Sequence, residues 1–491
     1  MSSLGNPPIA ETADYLVGME QNRPVLVRLD DRRAVYQDPT TGALVGAGGL
    51  EFANQGHASG GTVLCDWQAG SGTLSLISSN GGGEAVALDP SVTCDGVPMV
   101  KVTCGNTGTL IADFLLAAPA YLAQMQSLQI PIRVSQNNAV FGGTGPAQIW
   151  LWDDATGTRQ WRLAASLNMG NMRSGVLNLF SFGPGVAADG WAFGGASPPT
   201  STTDLDSYTV FRLRIVIAVP AAVAGEAVWF GPIRANARRK PVVSIVMDGQ
   251  YSSQHNYLLP MLEAQGLRAS LAIQNSLIGS GGRMSAAQLE RAYSAGHEII
   301  HHTFDGSKGN GYQDAGQWAD AAAITADIQA GEADRRARGW TRGLGYAVHG
   351  GNTHPFAGSV SAARQSAVAS GYMAAGIKAI RSGNGAGAGT LNRLQNMARL
   401  SCVDPYSVQG AIQATNTHAS ADLIAVATRA KARGEWGIVT LHRSVVSGAA
   451  SLEVLNSDAL AWVQALGDDV RSGRVLVLPF SEAAEFYGLV Q

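Results

Sequence analysis

The sequence predicts a multidomain fold, a jelly-roll-like β-sandwich followed by a distorted (β/α) barrel. Three observations predict it. The chain has 491 residues, more than a single hydrophobic core organises. Between residues 58 and 238 the apolar residues come in short runs rich in Val, Ile, Trp and Phe, separated by Gly-, Asn-, Asp- and Ser-rich turns and without helical stretches between them. From residue 239 onward, strand-like runs alternate with helical ones, the pattern of parallel strands joined by crossover helices.

Residues 1–57 are punctuated by Gly and Pro, with strand-like pieces such as PVLVRL and a turn at DPTTGA. They read as a small N-terminal attachment module. Residues 58–238 carry the runs GTLSLI, MVKVTC, SLQIPIRVS, AQIWLWD, TVFRLRIVIAV and AVWFGPIRAN, a sandwich of the carbohydrate-binding kind. Six of the ten tryptophans fall there. Trp150 and Trp152 lie two apart on one strand and so share a face. Buried, they are packing; exposed, they form a stacking platform for a sugar ring.

The basic stretch NARRKP ends the sandwich, and residues 239–491 form the third domain. VVSIVM is apolar but for Ser244, as in strands of parallel sheets covered on both faces. A helix follows in SSQHNYLLPMLEAQG, then the strand RASLAI. Ser285 and Gln288 form a capping-box pattern before AAQLERAYSAG, and the strand HEII comes next. The series continues with the helix WADAAAITADIQAGEADRRARG, the strand GYAV, the helix SAARQSAVASG and the strand MAAGI. ADLIAVATRAKARG, GIVTLH, DALAWVQALGDDVRSG and VLVLPF close it.

A formal net charge of -3 supplies no electrostatic attraction to nucleic acid or to an anionic membrane. No apolar stretch is long enough to span a bilayer, and MSSLGNPPIAETADYLVG lacks the basic and apolar regions of a signal peptide. Synthesis in a cytoplasm is the expectation. Four cysteines are too few and too scattered for a disulfide scaffold, although Cys94 and Cys104 flank an Asp-Gly turn and are placed to approach each other.

Eight of the nine histidines lie after residue 250. Asp248, His301, His302, His349 and His442 all fall at the carboxyl ends of strands, where such folds carry their chemistry. A divalent metal such as zinc suits Asp and neutral imidazole, and a hydrolytic site needs three protein ligands plus room for water.

Three stretches, VVSIVMDGQYSSQHNYLLPMLEAQGLRASLAI, AGHEIIHHT and IVTLHR, resemble the polysaccharide deacetylase family of carbohydrate esterases over residues 241–485. The resemblance implies a distorted α/β barrel that removes acetyl groups from sugars with a bound divalent metal. That family's first motif has two adjacent aspartates, a base and a metal ligand; here Met247 and Asp248 stand there, so the ligand is present and the base is a thioether. The second motif supplies two histidine ligands on one turn; here His302 is kept and Gly306 takes the other place, with Asp305, His301 or His349 as substitutes. The third motif is replaced by YAVHGGNTHP, with His354 near the substrate and His349 the first candidate for a different catalytic base. The last, Leu-His, survives as Leu441 and His442, the latter acting as acid toward the leaving group. Without a base, hydrolysis slows by about 10²–10⁴-fold.

Two functions follow from the resemblance: a metal-dependent deacetylase of a surface glycan with a rearranged base and ligand set, or a non-catalytic receptor-binding or structural module on the same fold. The order of arm, sandwich and deacetylase-like domain, without a secretion signal, resembles bacteriophage tail fibre and spike proteins. That resemblance implies a homotrimer that contacts other virion tail subunits and a bacterial surface polysaccharide, and that reaches the exterior through assembly and lysis. The alternative setting is a cytoplasmic enzyme.

Overall fold

The computed structural model describes four short strands within residues 15–46, most of 62–135, five strands between 147 and 219, and 225–487 apart from 236–239, 309–310, 351–359, 384–407, 410–411 and 435. Tyr15–Glu20, Arg23–Arg28, Ala34–Gln37 and Leu44–Gly46 pair successively as an antiparallel meander.

Two antiparallel sheets follow. In the first, Thr62–Cys65, Ile233–Ala235, Leu128–Val134, Ala227–Phe230, Val97–Thr103 and Ala85–Cys94 lie side by side, with Asn178–Phe182 also pairing to Leu128–Val134. In the second the order is Trp191–Gly195, Arg159–Leu163, Ala147–Trp152, Thr209–Val219, Gly108–Tyr121 and Gly72–Ser78. Alternation fills the space between them. Val100, Val102, Phe114, Leu151, Leu213, Ile130 and Ile132 are buried in one cluster, while intervening residues point outward. The single expected strand AVWFGPIRAN is in fact two, Ala227–Phe230 and Ile233–Ala235, because Pro232 between them has no N–H to give a ladder. Cys65, Cys94 and Cys104 are buried and none of them is in a disulfide, so the expected pairing of Cys94 with Cys104 is not made.

After Ala235 every described pairing in the large sheet is parallel. Its order is Val408–Gln409, Ala379–Ser382, Tyr346–Val348, Glu298–Thr303, Ser270–Gln274, Val242–Asp248, Trp436–Leu441 and Ile412–Gln413, with Leu476–Val477 beside the start of Val242–Asp248. The two end strands, Val408–Gln409 and Ile412–Gln413, are separated by two residues in the chain. Gln409 and Ile412 therefore lie within about 11 Å of each other, and the sheet must curl until its edges approach. Hence the barrel. Val242–Asp248 is buried at every position, as its mostly apolar run favours, and its one hydroxyl, Ser244 Oγ, donates to Leu478 O at 2.7 Å. Crossover helices Ala286–Ser294, Ala321–Ala337, Ala362–Ala374, Ser420–Arg433 and Asn456–Arg471 intervene between strands. The first of these opens on the Ser285/Gln288 capping box.

Two expected strands move. Met373 and Ala374 finish the helix Ala362–Ala374, and Gly376, with φ +77°, turns the chain so that the strand starts only at Ala379. Burial of Val368 and Tyr372 against Trp318 and Ile324 carries the helix that far. VLVLPF gives a strand only over Leu476–Val477; Pro479 lacks the N–H a ladder needs and precedes the helix Phe480–Phe486 instead.

Candidate functional site

Because the strands are parallel, their carboxyl ends open at one mouth of the barrel. Asp248 ends its strand, His302 is next to last in Glu298–Thr303, Arg381 lies in Ala379–Ser382, and His349 and His442 directly follow theirs. The backbone after Asp248 is built to hold it. Gly249 has φ +83°, and a Cβ there would stand 2.6 Å from Arg283 Nη1, so only glycine fits. Gln250 clasps the neighbouring strand end both ways: its Nε2 donates to Gln274 O at 2.7 Å, and Gln274 N donates to its Oε1 at 3.0 Å. Gln254 Nε2 donates to Asp248 O at 2.9 Å and to His442 O at 2.7 Å, tying two strand tips together.

Four side chains meet at this mouth. Arg381 Nη2 donates to Asp248 Oδ2, and both are buried. His442 Nε2 stands 3.9 Å from the same oxygen. Burial alone would raise the Asp248 carboxyl, but Arg381, then His442 and His302, pull it below its ordinary value. Burial pushes the His302 imidazole down to about 4, against the attraction of Asp248, so it is neutral at pH 7. Burial likewise lowers His442. Asp248 Oδ1, His302 Nδ1, His442 Nδ1 and Arg381 Nε are buried without hydrogen-bond partners.

The other expected residues serve elsewhere. His301 points to the opposite face of its strand from His302, as strand alternation requires. Its Nε2 lies 2.7 Å from Tyr312 Oη, which donates its proton to Asp327 Oδ2 at 2.7 Å. His301 therefore donates from Nε2, and its Nδ1 lies against Gly331. Asp305 caps a turn, accepting from Ser307 N at 3.0 Å and Ser307 Oγ at 2.6 Å. His349 is buried, with Nδ1 2.8 Å from Tyr372 Oη and Nε2 on Gln313. Trp150 is half-buried on the outer face of its sheet, with the Arg214 guanidinium 5.7 Å from its ring centroid. Arg214 in turn pairs with Asp113 at 2.6 Å, and Arg212 joins it at 3.2 Å. His354 and the side chain of Trp152 lie outside the described residues.

A divalent metal does not fit the residues at the mouth. Asp248 already gives one oxygen to a guanidinium. Where the resemblance would place a second histidine ligand, a Cβ on Gly306 would stand 2.3 Å from Leu277 Cγ, so Leu277 fills that space. Among the described residues no three His, Cys, Asp or Glu side chains gather as a metal cluster. Met247, which the resemblance sets where a base is expected, is fully buried in the barrel core.

Sequence reasoning missed Arg381, Gln250 and Gln254. Arg381 is next to last in the strand AIRS, and a charge near the carboxyl end of such a strand is a usable signal; the expected strand MAAGI stops short of it.

No protein-family model matches the sequence, and no curated protein is similar to it. Among solved structures, it is similar to a family 4 carbohydrate esterase from Streptomyces lividans in complex with acetate, at 13% identity over 50% of this chain and 95% of that one, with a TM-score of 0.26. It is also similar to the chitin deacetylase of the fungal pathogen Colletotrichum lindemuthianum, at 14% identity over 50% and 88%, with a TM-score of 0.29. A family 11 carbohydrate-binding module from Clostridium thermocellum is similar at 11% identity over 35% and 94%, with a TM-score of 0.25. At these identities and scores none of them assigns an activity or a ligand to this chain.

Proposed function

We propose that the chain recognises a carbohydrate, a bacterial surface polysaccharide, through a jelly-roll-like sandwich and a polysaccharide-deacetylase-like barrel whose hydrolytic machinery has been dismantled. The observation that carries this reading is Met247. It stands where the resemblance calls for a base, and it is fully buried in the barrel core. A thioether accepts no proton, and Met247 packs among apolar core side chains. The scaffold around it is intact: the strand tips are tied by Gln250 and Gln254, and His442 sits beside Asp248. On the sandwich, half-buried Trp150 lies in one cross-strand row with Arg214, and its ring is the face we propose stacks on a sugar. In the setting we propose, the chain is a homotrimeric tail fibre or spike subunit carried outside by particle assembly and lysis.

A second reading, hydrolysis of acetyl groups by a rearranged site, is favoured by His442 alone, which lies 3.9 Å from Asp248 and so retains a polarising carboxylate.

The test is binding of the purified chain to immobilised bacterial surface polysaccharides, run beside an acetate-release assay on acetylated chito-oligosaccharides with added zinc or cobalt. The expected outcome is binding that Trp150→Ala weakens about tenfold, roughly the 1–1.5 kcal/mol that an aromatic contact contributes, and no acetate release. Rapid release abolished by Asp248→Ala would refute it and restore the deacetylase reading.

A further inference from the structure

We propose that Arg381 stands in for the divalent cation, so that the barrel mouth is a metal-independent site whose positive charge is supplied by the chain itself.

A buried carboxylate requires a positive partner, and in a hydrolytic metal site of this kind the dication provides it. Here Asp248 is buried and its Oδ2 accepts from the Arg381 guanidinium. Arg381 is no mobile surface cation. It is 2% exposed and lies within the parallel ladder, flanked by Val348 and Val408. Its carbonyl accepts from His349 N at 2.8 Å. A dication bound to Asp248 would sit beside this fixed guanidinium and be repelled by it. The third ligand place is closed as well, since Leu277 occupies the space beside Gly306.

The charge balance differs in kind from that of a metal site. A dication on one aspartate leaves an excess positive charge to polarise a bound carbonyl. One guanidinium on one aspartate leaves none. Such a mouth suits hydroxyl-bearing, uncharged ligands held by hydrogen bonds, and the buried unpartnered atoms Asp248 Oδ1 and His302 Nδ1 are two of the groups it offers. Those two atoms are also what would take a metal if the guanidinium were removed.

The inference concerns the cation and not the ligand, so the experiment reads metal, and its failure is distinct from failure of the carbohydrate reading. Full-length protein is titrated with zinc chloride by calorimetry at pH 7, and its melting temperature is read with and without zinc. Wild type should show no site that Asp248→Asn abolishes, and zinc should not raise its melting temperature. Arg381→Met, which keeps the bulk and removes the charge, should melt lower and be rescued by zinc, with affinity at least tenfold tighter than wild type. Arg381→Lys, which keeps a cation, should fold and stay insensitive to zinc; it carries the test if Arg381→Met does not fold. A stoichiometric zinc site in wild type, lost in Asp248→Asn, overturns the proposal. So does zinc binding by Arg381→Lys at wild-type melting temperature, or a folded Arg381→Met that gains no zinc affinity.

Discussion

Arg381 and Asp248, 133 residues apart in the chain, are joined by a buried charge-assisted hydrogen bond across the mouth of the barrel. Three parallel strands lie between theirs in the sheet order, so the contact exists because the sheet curls. The pair closes the distance that a flat sheet would leave open.

Removing one member of such a pair leaves the other buried and uncompensated. Arg381 cannot shed its charge, so Asp248→Asn is expected to destabilise the barrel by about 3–5 kcal/mol. The double substitution Asp248→Asn with Arg381→Met should cost clearly less than the sum of the two single changes. Urea unfolding of the four proteins measures the coupling, and strict additivity would show that the two side chains do not interact.

Acid should weaken the fold through His302. Its folded pKa, about 4, lies below the ordinary histidine value, so the unfolded chain binds the proton first. The stability contributed by the neutral ring is complete above pH ~6.5 and is lost as pH falls toward 4, by up to about 1.4 kcal/mol per pH unit. Protonation of Asp248, whose carboxyl is held low, adds to the loss only below the ordinary carboxylate range. Unfolding at pH 7 and pH 5 should differ strongly for wild type and less for His302→Gln; equal losses in both would assign the acid sensitivity elsewhere.

Gly306→His, which would restore the missing histidine in name, should not restore it in space. Leu277 must first move from its position 2.3 Å from the new Cβ, at an overpacking cost of about 1–3 kcal/mol. Adding Leu277→Ala should recover most of that loss. Melting curves of the single and double variants decide it, and an unchanged melting temperature for Gly306→His would show that Leu277 yields freely.

On the far side of the same strand, Tyr312 mediates between His301 and Asp327. Tyr312→Phe removes the hydroxyl that the His301 Nε2–H meets at 2.7 Å and leaves it only Asp327 Oδ2, 3.6 Å away, while Asp327 keeps its bonds from Phe304 N and Asp305 N. The expected cost is about 1–3 kcal/mol, read by chemical denaturation. Pairing it with His301→Phe should reduce the penalty, because no unpaired donor then remains.

Much of this architecture was legible in the sequence because it rests on local periodicity. The run Val242–Met247, apolar but for Ser244, favours a strand covered on both faces, and the Ser285/Gln288 box sets a helix start. The alternation of strands and helices dictates parallel pairing, which places Asp248, His302 and His442 at the same ends of their strands. What tertiary structure alone decided is direction and partnership. His301 and His302 are neighbours in sequence, but the pleat sends one to Tyr312 and Asp327 and the other to Asp248. Asp305 is a plausible ligand by spacing, yet the Ser307 hydroxyl and amide take its carboxylate within the turn. Arg381 carries no motif and becomes the partner of Asp248 only when the curled sheet brings their strand ends together, because Coulomb attraction and burial act through space and not along the chain.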